Sequence, residues 1–356
     1  MRQVLFYIPL RTDWTPHGIP IYGFGLMLFV AFLVATWLAG RRARQEGVPP
    51  ERIQDLAIWI FIGGLIGARV VYMIQYRQPL EDFFRIWEGG LVFYGSAIGG
   101  VVGYFLAYWV VVRRHRLSGW QIADIIAPSA ALGLAIGRLG CLFNGCCYGD
   151  VACPDCVSLR FPIQSPPWFN HVRHGLGTAA GFTLGVDRTV AAVEPDSPAA
   201  QAGLRAGDVI VQANDRAIAD YESLWTYLAR DWPRGETQLR LTVRRGGEEI
   251  ALPPFAPRSL GVHPTQLYET ISALLLFLLL TAYYPLKRRE GEVMILFMVG
   301  YAVHRFLNEM LRNDTDPVAF GMTLSQNGSL LVLAAAALLG GWVARQSPRP
   351  VPKATS

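Results

Sequence analysis

Residues 19–40 read IPIYGFGLMLFVAFLVATWLAG and are followed at once by Arg41, Arg42 and Arg44. A stretch of about 20 apolar residues is what a helix needs to cross the hydrocarbon core of a bilayer. It is too long and too poorly flanked for a cleaved signal peptide, and no small-residue cleavage site follows it. The basic cluster directly after it marks a cytoplasmic loop. Six further stretches have the same character, at 54–76, 91–112, 120–140, 265–285, 291–311 and 327–344. The fourth is the least regular, because Asp124, Pro128 and Arg138 interrupt it and allow a break or a tilt. The expected fold is therefore an all-α polytopic membrane bundle of about seven transmembrane helices.

Composition agrees. Of 356 residues 52% are hydrophobic and only 17% charged, whereas about 25% is usual for soluble domains. A mean hydropathy of +0.29 is too low for a bundle wholly in the membrane. It suggests apolar spans joined to a sizeable water-soluble piece. These values exclude a disordered chain, a collagen and a small disulfide scaffold. The net charge of +5 calls for no nucleic acid. The basic residues cluster between alternate spans: Arg41, Arg42, Arg44 and Arg52; Arg113, Arg114 and Arg116; Lys287, Arg288 and Arg289; and the tail with Arg345, Arg349 and Lys353. The intervening short loops carry only Arg77, Arg85 and Arg312. The positive-inside rule then puts the N-terminus outside, the C-terminus in the cytoplasm, and residues 141–264 outside.

Residues 178–256 read as a compact mixed α+β insert. A short strand at Val190, Ala192 and Val193 leads to a turn at Glu194–Ala199 that opens a short helix. A strand near Val209, a turn at Asn214–Asp215, a helix over 220–230 and a strand through Leu239, Leu241 and Val243 follow. Ser197-Pro198-Ala199, Ala202-Gly203-Leu204 and Gly207-Asp208-Val209-Ile210 resemble a PDZ domain of the bacterial protease type. Such domains bind an extended peptide or a protein C-terminus at a sheet edge. The resemblance makes Leu184, Gly185 and Val186, within Phe182–Val186, the expected carboxylate-binding loop. The other reading is a structural module that only covers the membrane part. The chain thus divides into membrane residues 1–177, the insert 178–256, membrane residues 257–345 and a cytoplasmic tail 346–356.

Ionisable groups at membrane depth cost several kcal/mol and are functional candidates by default. Arg69 lies in the second span and Arg138 in the fourth. Tyr301, Arg305, Glu309 and Arg312 keep to one face of the sixth at about 100° per residue. Such a stripe suits a phosphate headgroup, because the guanidinium fork meets phosphate oxygens bidentately. The plainer reading is that Arg305 and Glu309 neutralise each other while Arg312 snorkels to the interface.

The membrane part resembles the prolipoprotein diacylglyceryl transferases. The resemblance is carried by Tyr22-Gly23, Gly67-Ala68-Arg69, Asp124–Pro128, Gly137-Arg138-Leu139-Gly140, Asn144-Gly145 with Gly149, His263-Pro264-Thr265-Gln266-Leu267-Tyr268-Glu269, and Gly300-Tyr301 with Arg305, Glu309 and Arg312. It implies an inner-membrane enzyme that moves a diacylglyceryl group from phosphatidylglycerol to the lipobox cysteine thiol of a prolipoprotein, with no cofactor. Catalytic candidates are then Arg138, Asn144, Tyr94, His263, Tyr301, Arg305 and Glu309. Substrate-binding candidates are Tyr22, Arg69, Gly149, Gln266, Tyr268, Glu269 and Arg312. His263 could equally hydrogen-bond a neighbouring loop.

The chain departs from that family's pattern in places. Phe93-Tyr94-Gly95-Ser96 stands where the family has Phe-His-Gly-Gly. Cys141 and Cys146 replace an Asn and a Glu, and Asp150 replaces an Arg. A catalytically diverged receptor or scaffold using its insert for peptide binding, or a transferase with another acceptor, is the alternative expectation. All five cysteines fall within 141–156. A disulfide among them, a Cys153, Cys156, His171 and His174 zinc site, nucleophilic work by Cys146 or Cys147, and packed thiols all remain open.

Overall fold

The computed structural model describes residues 4–10, 18–84, 93–113, 117–153, 155–173, 181–185, 187–233, 236–312 and 317–348. The expected site residues Val186 and His174, and the side chain of Tyr94, lie outside what is described. The helices in chain order are α1 (Gly23–Gln45), α2 (Pro50–Tyr76), α3 (Phe93–Ala107), α4 (Gly119–Asn144), α5 (Pro166–Arg173), α6 (Pro198–Gln201), α7 (Tyr221–Ala229), α8 (Thr265–Tyr283), α9 (Glu292–Glu309) and α10 (Leu324–Ala344). The chain forms two compact units. One comprises Met1–Met27, Arg138–Glu269 and Leu307–Thr323; the other comprises Leu28–Gly137, Thr270–Phe306 and Leu324–Ser356.

Among the described residues, five helices are long and apolar enough to cross a membrane: α1, α2, α4, α8 with its extension to Leu286, and α10. The other two expected spans are helical but do not reach that measure. α3 passes into a five-residue π-turn at Tyr108–Val112, and α9 carries Glu292, Arg305 and Glu309 within 18 residues.

α4 runs unbroken through Pro128, so the break that its sequence allowed does not occur. The second supposed interruption has a specific task. Asp124 is fully buried, and its carboxylate accepts from the Gly291 N–H at 2.9 Å and the Met294 N–H at 3.0 Å. A carboxylate at a helix start satisfies orphan amides and meets the positive end of the helix dipole. Lys287 Nζ lies 3.7 Å from Asp124 and 2.9 Å from Glu46. In the same unit α2 and α3 pack glycine against glycine. A methyl added at Gly99 would sit 2.9 Å from Gly67 Cα, and one at Gly67 would sit 2.8 Å from Gly99 Cα. Small residues of this kind let two helix backbones approach where no water drives association.

The other unit holds the strands β1 (Val4–Ile8) and β2 (Ile19–Tyr22), which pair antiparallel, and the insert. β3 (Leu159–Pro162) precedes the insert and β10 (Arg258–Val262) follows it; between them β4 (Phe182–Leu184), β5 (Val190–Val193), β6 (Val209–Ala213), β7 (Arg216–Ala217), β8 (Leu241–Arg245) and β9 (Glu248–Ala251) follow in order. β4 pairs with β5, β10 with β3, and the remaining four form an antiparallel sheet in the order β7-β6-β8-β9. The expected strands, turns and helices of 190–245 are all present. Ser197 caps α6, and an Asp220–Ser223 capping box opens α7. The core has Phe182, Ile210, Leu224, Leu228, Leu241 and Val243 at its centre. It also takes in Trp168 of α5, which stacks on Trp225 of α7 with ring centroids 5.3 Å apart. The insert's core therefore starts before residue 178, because apolar side chains of 163–169 have their contacts there.

Asp208, buried before β6, is gripped bidentately by Arg245 at 2.7 Å per contact and accepts the Arg205 N–H at 2.8 Å. Burial pushes its carboxyl up, but the Arg245 guanidinium and the Arg205 amide outweigh that and hold it below the ordinary value. A lowered folded pKa gives stability that is present above the unfolded value, near pH 4, and is lost as pH falls through the folded one. Asp208→Asn should destabilise the insert by about 1–3 kcal/mol at neutral pH and remove that acid dependence. Thermal melting followed by tryptophan fluorescence at pH 7 and pH 3 tests this; equal melting of both forms at pH 7 would contradict it.

Candidate functional site

The last two turns of α4 carry Arg138, Cys141 and Asn144, which recur every third residue on neighbouring parts of one helix surface. Arg138 Nε forms an ion pair with Glu269 of α8, whose side chain is only 1% exposed. Arg138 Nη1 also lies 3.9 Å from Cys141 Sγ. The helix ends because Gly145 takes a left-handed conformation (φ 72°), and Cys147 takes another (φ 59°). This reverses the chain. The reversed turn is pinned by the start of α8: Thr265 Oγ1 donates to the Cys147 carbonyl at 2.6 Å and Gln266 Nε2 to the Cys146 carbonyl at 2.8 Å. Cys141, Cys146 and Cys147 place their sulfurs within 4.8 Å of one another. Hydrogen bonds from the Cys141 and Cys146 thiols, with the charges of Arg312 and Arg138, hold the Cys147 thiol below its usual range.

Beyond the turn, Gly149 is clasped between two backbones. Its N–H donates to the His263 carbonyl at 3.0 Å, Asp150 N–H donates to Leu311 O at 3.1 Å, and His263 N–H returns to Asp150 O at 2.9 Å. A Cβ on Gly149 would lie 2.7 Å from His263 Cβ and 2.8 Å from Leu311 O, so only glycine fits. The His263 ring sits 6.5 Å from that of Tyr268. Arg312 bridges to Gly149 through the backbone and pairs with Glu309 at 3.3 Å. Glu309 also accepts from Thr323 Oγ1 at 2.9 Å. Arg312 is thus held in a buried pair, with its side chain 8% exposed, where the sequence allowed snorkelling. Tyr22 ends β2 and is exposed.

The second unit holds the other candidates. Arg69 is buried, its Nε donating to the Phe83 carbonyl at 3.1 Å with the guanidinium 5.3 Å above the Tyr72 ring. Arg305 Nη2 donates to Ser325 Oγ at 2.8 Å. The Tyr301 ring lies 5.8 Å from Phe297 and 5.9 Å from His304. The four-residue stripe of the sixth span is thus divided, with Tyr301 and Arg305 in this unit and Glu309 and Arg312 in the other.

The family model described as prolipoprotein diacylglyceryl transferase matches residues 14–342. This chain belongs to the prolipoprotein diacylglyceryl transferase family. It is a transferase by that membership, with the apolar helices of a polytopic membrane protein. A phosphatidylglycerol–prolipoprotein diacylglyceryl transferase of Rhodopirellula baltica is 33% identical, over 92% of this chain and 73% of its own. One of Erwinia tasmaniensis is 26% identical, over 93% of this chain and 91% of its own. One of Thermosynechococcus vestitus is 39% identical over a shorter part, 35% of this chain and 47% of its own. A solved HtrA3 PDZ domain bound to a phage-derived ligand covers 29% of this chain and 84% of its own at 25% identity. Its TM-score of 0.17 is too low to bear on the fold.

Cys153 and Cys156 are joined in a disulfide, one of the readings the sequence left open, so their sulfurs are not offered to a zinc site with His171 and His174. The Gly185 N–H donates to the Thr189 carbonyl at 2.7 Å inside the β4–β5 turn. That the thiols of Cys141, Cys146 and Cys147 meet was not legible; the sequence showed only that all five cysteines cluster within 141–156.

Proposed function

We propose that this chain transfers a diacylglyceryl group from phosphatidylglycerol to the cysteine thiol of a prolipoprotein lipobox. A carbon–sulfur bond forms as the carbon–oxygen bond to phosphate breaks, and glycerol phosphate leaves. Arg138 offsets the charge on the departing phosphate, where preorganised donors are most effective, and Arg305 keeps a catalytic role on the family pattern. An ordinary thiol, with a pKa near 8.5, must lose its proton, and His263 accepts it. Asn144, Tyr301, Glu309 and Arg312 keep the catalytic roles that the family pattern gives them. Tyr22, Arg69, Tyr268 and Glu269 hold the lipid or orient those that do, while Gly149 and Gln266 act by fixing the backbone. The observation that carries this reading is the Arg138–Glu269 pair, an arginine at the end of an apolar helix held by a carboxylate that is 1% exposed. We place the N-terminus and the insert on the outer side of the bacterial inner membrane. Expression in a strain depleted of its own transferase should restore growth and lipoprotein processing. Failure of a well-expressed protein to do so would favour the receptor reading, which Tyr94, Cys141 and Cys146 support.

The insert is PDZ-like in this proposal and recruits an extended segment of the protein substrate or a partner to a sheet edge. Pro162 pairs with Arg258 across β3 and β10, so a short glycine-rich turn can replace residues 163–257. Transfer to a short lipobox peptide should then persist, while transfer to a full-length prolipoprotein falls on the order of tenfold, equivalent to about 1.4 kcal/mol of docking. Equal rates on the long substrate with and without the insert would overturn the recruiting role.

A further inference from the structure

Cys141, Cys146 and Cys147 have no part in the transfer chemistry proposed above, yet they are held with care. Cys147 occupies the left-handed region at φ 59°, which costs a residue with a Cβ roughly 1–2 kcal/mol. Its conformation is imposed from outside. The Cys146 and Cys147 carbonyls are fixed by Gln266 at 2.8 Å and Thr265 at 2.6 Å, both at the start of α8. Cys141 stands on the last turn of α4, and its carbonyl accepts the Cys146 N–H at 3.2 Å. Three sulfurs from two chain segments thus converge on one point of a rigid scaffold.

The spacing suits a metal. Three sulfurs at ~2.3 Å from one ion stand about 4 Å apart, and these lie within 4.8 Å of one another. Thiolate ligands select soft ions over hard ones, which prefer oxygen. Cys141 is buried and its two partners half-buried, so the site is partly screened from water. Three thiolates around one such ion leave a net negative charge, and the Arg138 guanidinium lies 3.9 Å from Cys141 Sγ to offset it. Cys153 and Cys156 take no part, being bonded to each other.

We propose that Cys141, Cys146 and Cys147 form a three-sulfur binding site for one soft d10 metal ion, of the Cu(I) and Zn(II) class. Binding releases the thiol protons to solvent. The site is independent of whether the transfer reaction proceeds.

The full-length protein, purified in detergent with the Cys153–Cys156 disulfide intact, is titrated with Cd(II) as a spectroscopic probe and then with Cu(I). The expected result is saturation at one ion per chain, an ultraviolet thiolate-to-metal absorption, and three sulfur neighbours by X-ray absorption. Cys141→Ser, Cys146→Ser and Cys147→Ser should each weaken binding at least tenfold, while a Cys153→Ser and Cys156→Ser double variant should leave it unchanged. Fewer than three sulfurs in the unmutated chain, absence of stoichiometric binding, or undiminished binding when all three cysteines are serine would overturn the proposal. The sulfur count on the unmutated chain decides the matter even where a variant fails to fold.

Discussion

Arg138→Ala should lower the rate of diacylglyceryl transfer by about 10²–10³-fold, the loss typical when one preorganised donor to a developing anion is removed. In the proposed reaction this arginine offsets the charge of the leaving phosphate, and its orientation is set by Glu269, which is 1% exposed. The same pairing complicates the simple variant. Removing one partner of a buried ion pair leaves the other uncompensated and costs about 3–5 kcal/mol of stability, so Arg138→Ala can lose activity by unfolding. An Arg138→Gln and Glu269→Gln double variant separates the effects. Both charges vanish together, and the neutral pair can still hydrogen-bond. That variant should melt close to the parent and still be deficient by about 10²-fold or more in turnover. Near-parental turnover in it would show that Arg138 matters for folding and not for the chemistry.

Gly99→Val should produce the largest loss of stability. The methyl of even an alanine at Gly99 would press on Gly67 Cα at 2.9 Å, and backbone cannot turn aside as a long side chain can. Overpacking usually costs about 1–3 kcal/mol; here the obstacle is backbone and valine adds two further carbons, so about 3 kcal/mol or more is expected. Gly100 is the internal control. The nearest atom to a Cβ there is 3.8 Å away, so Gly100→Ala should melt like the parent. Thermal unfolding in detergent, read by aggregation or helical content, measures both. A Gly99→Val protein as stable as Gly100→Ala would mean that α2 and α3 do not rely on their close approach.

The contrast between these two glycines was not visible in the sequence, where both sit in one apolar run. What could be read was the pattern carried by each segment alone. Apolar runs gave helices at 23–45, 50–76, 265–283 and 324–344, and alternation at Leu239, Leu241 and Val243 gave a strand. Features that depend on distant partners could not be read. Asp124 and Pro128 look like helix breakers, and only the amides of Gly291 and Met294, far along the chain, explain why an acid belongs there. Trp168 falls in residues 1–177, assigned by sequence to the membrane part, yet its partner Trp225 makes it part of the insert's core. The glycine of Asn144-Gly145 with Gly149 at position 149 marked a site by family pattern. Its physical reason is the clasp between His263 and Leu311. Cys141, Cys146 and Cys147 share no helical or strand face, so their convergence required the two left-handed residues at 145 and 147.

The most direct test of the proposed activity is a defined reaction: the purified full-length chain in phosphatidylglycerol vesicles with a synthetic lipobox peptide, the product analysed by mass spectrometry. The expected result is a peptide whose cysteine carries a thioether-linked diacylglyceryl group, with glycerol phosphate released in equal amount. It should form with phosphatidylglycerol and not with phosphatidylethanolamine. Unmodified peptide from a folded, correctly inserted protein, or the same product from the Arg138→Gln and Glu269→Gln variant at the parental rate, would contradict it.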